Sequence, residues 1–226
     1  MGPSHETKSA RRSLLSLLLA YLSQDWVTLC FDLYHAVRRW IIRNRPEGMY
    51  EILDYDSTLE LMDRKGETAV VKKRQRVKFL QDHVIAFQDY AWGDGKILAG
   101  YQCTPGTVVD RYQEGYRWNI LISLRETKSA GDIVDFNIKR TVKRSFTKDD
   151  EWWQVEVRHH TQRLKLTLIF PEDRRCKRVT LAQRSQHQTK VLGPEHFTNL
   201  PDGRQVLTWE AQKIRRSEIY TLRWQW

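Results

Sequence analysis

The chain has little of what staples, breaks or spans. Among 226 residues there are 3 cysteines, 6 prolines and 11 glycines. Cys30, Cys103 and Cys176 are odd in number, far apart and without a CxxC pair, which excludes a disulfide framework and a thiolate zinc site. They point to a reducing compartment, and the expected location is the cytoplasm. The scarcity of proline and glycine excludes collagen-like and linker architectures. The apolar run at 14–22 follows Lys8, Arg11 and Arg12 as in a signal peptide, but it continues without a small-x-small cleavage site. A bilayer core of ~30 Å needs about 20 apolar residues, so that run is too short to cross. The next stretch, 26–42, carries Asp32, His35, Arg38 and Arg39, so no transmembrane span is expected.

Lys and Arg, in contrast, are abundant: 38 against 28 Asp and Glu, for a net charge of +10. Apolar residues make up 40% and aromatics 11%, including 9 Trp, enough to bury a core. Trp26, Leu29, Cys30, Leu33, Val37, Trp40 and Ile41 recur at a period of 3.6 and predict a helix, capped by Ser23 and stopped at Arg45-Pro46. A shorter helix over 9–22 precedes it. Val27, Phe31, Tyr34 and Ile42 widen the apolar surface, so Trp26, Phe31, Tyr34 and Ile42 are candidate docking residues. Such a helix caps the next domain, oligomerises, docks a partner or lies on a membrane surface.

From Met49 onward the period is 2. Tyr116, Trp118, Ile120, Ile122 and Leu124 alternate with mostly polar residues, as do Val134, Phe136, Ile138 and Val142. Strands are predicted over 50–62, 67–79, 83–90, 96–102, 116–126, 132–145, 151–159, 163–170, 177–184, 205–210 and 218–226, separated by turn chemistry such as Arg64-Lys65-Gly66 and Thr104-Pro105-Gly106. Short turns without crossover helices imply antiparallel sheets. The expected fold is mainly β with an amino-terminal α segment: one or two helices over 1–48 precede or cap an antiparallel β-sandwich over 49–226.

No catalytic motif accompanies this pattern. GxSxG, phosphate-loop and dinucleotide signatures are absent, and the seven histidines show no HxH or HExxH spacing, so no catalytic residue, metal or cofactor is assigned. Adjacent Trp152 and Trp153 must face opposite ways on a strand. The same holds for His159 and His160.

Charge is the more informative constellation. On a strand, Lys72, Arg74, Arg76 and Lys78 form one row, while Lys73, Gln75, Val77 and Phe79 take the other face. Asp54, Asp56, Glu60 and Asp63 on the preceding strand are their expected neutralising neighbours. Lys139, Arg140, Lys143 and Arg144 form a second run, and Arg174, Arg175, Lys177 and Arg178 a third, neither with an acidic residue inside it. The leading expectation is a non-enzymatic interaction module: the first two runs bind an acidic protein partner, and the amino-terminal helices dock or self-associate. Nucleic-acid binding through the same residues is the alternative, and an enzyme with a β-sandwich cleft comes third.

Overall fold

The computed structural model describes residues 48–93, 95–214 and 216–226. The chain divides into two units, Met1–Arg45 and Pro46–Trp226, and the described residues belong to the second. The expected helices, with Trp26, Phe31, Tyr34 and Ile42, lie outside the described residues.

Among the described residues the structure is mainly β. The strands are β1 (Tyr50–Leu61), β2 (Thr68–Phe79), β3 (Val84–Trp92), β4 (Lys96–Thr104), β5 (Thr107–Glu114), β6 (Arg117–Lys128), β7 (Ile133–Lys143), β8 (Asp150–Val157), β9 (Thr161–Phe170), β10 (Arg178–Gln183), β11 (Gln188–Val191), β12 (Phe197–Asn199), β13 (Gln205–Ile214) and β14 (Glu218–Gln225). Helical structure is limited there to two single 3-10 turns, Arg184–Gln186 and Pro194–His196. A seven-stranded sheet runs in the order β12-β13-β9-β1-β2-β7-β4, and two smaller sheets run β11-β10-β14-β8 and β3-β6-β5.

Alternation explains why these segments are strands. In β1 the buried side chains are Tyr50, Ile52, Tyr55, Ser57, Leu59 and Leu61. The step from 52 to 55 marks a bulge, where the register with β2 shifts between Ile52 and Asp54. The β1–β2 turn is closed by Asp63, whose carboxylate accepts the N–H groups of Glu67 and Thr68 at 3.0 and 2.8 Å. Gly66 sits there at φ +68°, and a Cβ on it would lie 1.6 Å from the Phe146 carbonyl oxygen, so only glycine fits.

The smaller sheets share one core with the large one. Phe87 of β3 stacks on Phe136 of β7 at 4.1 Å, and Phe170 of β9 meets Trp224 of β14 edge-on at 6.1 Å. Leu59, Leu164, Leu166 and Leu168 are fully buried in the middle of the seven-stranded sheet. Full burial of such a side chain stabilises by about 1.5–3 kcal/mol.

Each of the eleven predicted segments coincides with a strand, to within a few residues at the ends. Two features differ from expectation. Pairing is antiparallel except between β1 and β9, which are parallel, with Asp56 beside Lys165. About a hundred residues separate these strands, ample for the long crossover that parallel pairing needs. Strands β5, β11 and β12 fall outside the predicted segments. They are a largely exposed edge strand and two pieces of four and three residues, and none has a buried face to impose alternation.

Candidate functional site

The face of the seven-stranded sheet turned away from the core is a lattice of charge. On β1 it carries Glu51, Asp54, Asp56, Thr58 and Glu60, and on β2 Lys72, Arg74, Arg76 and Lys78. Register sets Glu51 opposite Lys78, Asp54 opposite Arg76, Asp56 opposite Arg74 and Thr58 opposite Lys72. On the other flank of β2, Arg76 meets Asp135, Arg74 meets Asn137 and Lys72 meets Lys139. Lys139 in turn lies beside Gln102 of β4. Two of the predicted basic runs therefore join on adjacent strands, with two lysines directly opposite each other. Like charges so placed are unfavourable unless something neutralises them.

The carboxylates of β1 do not do this fully. Arg163 of β9 ion-pairs with Asp54 and lies 3.0 Å from Asp56, and it also holds Glu210 of β13 at 2.8 Å. Its hydrogen bonds to Glu210 and Asp54 raise its pKa further. Glu60 bonds Lys72 at 2.8 Å but is shared with Arg204. Burial alone would raise the pKa of Glu60, yet hydrogen bonds from Lys72 and Arg204 outweigh it and hold the carboxyl below its ordinary range. Arg74 reaches only Asp135, at 3.6 Å. Arg76 and Lys139 form no ion pair among the described residues. The fourth expected neighbour, Asp63, is engaged by the turn.

Between these strands lies an open groove of about 370 Å³. Lys72, Arg74 and Lys139 supply its exposed cations, Asp56 a carboxylate, and Gln102, Thr104 and Asn137 neutral hydrogen-bonding groups. The amides and the threonine carry no signal in the sequence, because they become neighbours only through the β4–β7 pairing. Arg76 and Lys78 continue the same face at one end of β2, and Lys143 at the other end of β7, opposite Thr68 and Lys96.

Two members of the predicted set depart from it. Arg140 points into the core and is only 5% exposed, so it does not belong to the binding face. It shares the parity of Phe136, Ile138 and Val142, which turns it inward. Arg144 lies beyond the end of β7 at φ +59°, exposed, its N–H bonded to the Glu67 carbonyl at 2.7 Å. The third basic run stays apart from the groove. Arg174 stacks 3.9 Å from the Trp226 ring and bonds Asp149 at 2.7 Å, a structural latch.

Beneath the face, on the opposite side of the same strands, lies a buried polar cluster. Lys73 of β2 bonds Asp89 of β3 at 2.8 Å and the Tyr90 carbonyl at 2.6 Å, and Tyr101 of β4 donates to the second Asp89 oxygen at 2.9 Å. Lys73 and Asp89 are 9% and 3% exposed. Burial lowers the Lys73 pKa, opposed by the attraction of Asp89. Burial also raises the Cys103 thiol to about 12, with the Asp89 charge adding to it, which keeps that thiol protonated. Trp153 is buried while Trp152 is 39% exposed, as their adjacency requires.

Among the described residues no three His, Cys, Asp or Glu side chains converge as a metal would need, and no helix is long and apolar enough to cross a membrane. No family model and no curated protein matches the chain. Among solved structures, it is similar to the M1 zinc metallopeptidase from Deinococcus radiodurans at 10% identity and a TM-score of 0.47, over 78% of this chain and 42% of that one. A mutant of that enzyme bound to a Tyr-Ser-Ala substrate gives 9% identity and a TM-score of 0.49, over 78% and 43%. The chain thus spans less than half the length of these neighbours, and no activity is carried over from a likeness of this size.

Proposed function

We propose that the chain is a non-enzymatic interaction module, a β-sandwich whose charged sheet face takes up an acidic protein partner. The observation that carries this reading is the Lys72–Lys139 juxtaposition in an open groove, where Asp54 and Asp56 pair with Arg163, Glu60 divides between Lys72 and Arg204, and Lys139 has no ion pair among the described residues. An acidic side chain entering between the two lysines relieves their repulsion and finds Gln102, Asn137 and Thr104 as further partners. The carboxylates of β1 confine the uncompensated cations to the short stretch around the groove, which suits a local acidic segment of a protein better than a continuous phosphate backbone. None of the exposed aromatics Tyr112, Tyr116 and Trp152 belongs to this face, so stacking platforms for bases are missing from it. The amino-terminal segment is proposed to dock or self-associate. Cys103 and Cys176 are free thiols, in keeping with a reducing, cytoplasmic setting.

Fluorescence anisotropy with a labelled Glu-rich peptide and a short labelled DNA duplex, over a series of salt concentrations, tests the reading. The expected result is peptide binding that weakens with salt and falls at least about tenfold in Lys72→Glu/Lys139→Glu. Tighter binding of the duplex through the same lysines would replace the reading with nucleic-acid recognition. Peptide binding unchanged by the double substitution would overturn it.

A further inference from the structure

The outer column of β7 reads Asp135, Asn137, Lys139, Thr141 and Lys143, the residues whose side chains leave the core. At two levels of this column the register sets lysine directly against lysine. Lys139 stands opposite Lys72 of β2, and Lys143 stands opposite Lys96 of β4. Lys72 bonds a Glu60 that Arg204 shares, while Lys139, Lys143 and Lys96 form no ion pair among the described residues. The other flank of Lys143 is Thr68, and that of Lys139 is Gln102, so no carboxylate stands opposite either. One strand thus carries two like-charge pairs, each unfavourable as it stands. They lie four residues apart, ~13 Å along a strand.

The level between the pairs is uncharged. Thr141 stands there, flanked by Val70 of β2 and Ala99 of β4, all three half-buried. Glu60, opposite Val70, lies across β2 from this column and is held by Lys72 and Arg204. The column closes at its far end in Asp135, which Arg74 approaches at 3.6 Å. The face therefore offers a track, with a cationic pair at either end of a small, mostly apolar step.

We propose, resting on the acidic-partner reading above, that the partner's segment lies extended along β7 and presents acid, small apolar residue and acid at alternate positions. One anionic side chain enters between Lys72 and Lys139, the second between Lys143 and Lys96, and the apolar side chain covers Thr141. Alternate residues of an extended chain share a face, so acids at i and i+4 match the two pairs. Acids at i and i+3 fall on opposite faces, and a helix sets i and i+4 only ~6 Å apart along its axis. Neither arrangement engages both pairs at once.

Chemical-shift titration of the full chain with two peptides of one composition tests the track. In Thr-Glu-Thr-Val-Thr-Glu-Thr the acids are four apart, and in Thr-Glu-Thr-Val-Glu-Thr-Thr they are three apart. The first should bind about fivefold tighter, the scale of one exposed ion pair, and should shift the amides of Lys139 and Lys143 together. The double variant Lys96→Gln/Lys143→Gln, confined to exposed side chains, should abolish that preference. Equal affinities for the two peptides, or a preference that survives the double variant, would overturn the track and leave the acidic-partner reading standing. Binding of neither peptide also overturns the track, and the Glu-rich peptide of the preceding test then tells whether the acidic-partner reading falls with it.

Discussion

The two faces of β2 and β7 carry the same residue types to opposite ends. On the outer face Lys72, Arg74 and Lys139 stand in solvent around a groove, Lys72 relieved by a Glu60 that Arg204 also claims and Arg74 by Asp135 at 3.6 Å. One residue away on the same strands, Lys73 and Arg140 are buried, and their charges are tied into the core. A lysine on one parity is available to a partner. On the other parity it is a structural commitment whose removal leaves a buried charge without its counterion. Basicity by itself therefore says little about binding, and the face a strand presents says most of it.

The largest effect that would test this contrast comes from breaking the buried pair. Asp89→Ala leaves Lys73 with only the Tyr90 carbonyl and Tyr101 without its acceptor, and should destabilise by about 3–5 kcal/mol in urea melts. The double change Lys73→Met/Asp89→Leu should recover part of that loss, because it removes both charges of the pair and keeps the volume while Tyr101 still lacks its acceptor. A single Asp89→Ala loss below about 1 kcal/mol would mean the inner face is as tolerant as the outer one.

A second contrast is between neighbours at the end of β8. His160 lies 3.4 Å from Glu51 on the charged face, whereas His159 stacks on Tyr50 at 4.3 Å with neither ring nitrogen partnered. Burial, with Arg216 and Arg158 nearby, lowers the His159 pKa to about 4. A depressed folded pKa means the unfolded chain binds more protons between about 4 and 6.5. The His159 contribution is thus complete above about pH 6.5 and is lost as pH falls through 4, on the order of 3 kcal/mol at most. His159→Phe keeps the stacked ring and should flatten the stability profile across that window. An unchanged slope would place the acid sensitivity elsewhere.

Much of this architecture is legible in the order of residues along the chain. Period-two alternation locates eleven strands, and the row Lys72, Arg74, Arg76 and Lys78 follows from it directly. Strands β5, β11 and β12 escape because an exposed edge imposes no pattern. The meeting of Lys72 with Lys139 escapes for another reason: it depends on β2–β7 register, a pairing of residues far apart in the chain that local pattern does not encode. Arg140 is the instructive miss. Its position in step with Phe136, Ile138 and Val142 already marks it as inward, and grouping it with Lys139 as one basic run obscures that parity.

The smallest stability effect carries the sharpest test of the outer face. Lys139 forms no ion pair among the described residues and sits opposite Lys72, so Lys139→Glu converts a repulsive cross-strand pair into an attractive one. Opposite charges in that position contribute roughly 0.2–1 kcal/mol, and the variant should be as stable as the parent or slightly more so in the same urea melts. Its affinity for the acidic peptide should nevertheless fall, since the groove then presents a carboxylate where the partner's must enter. Stability and binding moving in opposite directions would mark Lys72 and Lys139 as a site kept open at the expense of the fold. A parallel loss of both would instead make Lys139 part of the scaffold, and the distinction between the two faces of β7 would fail.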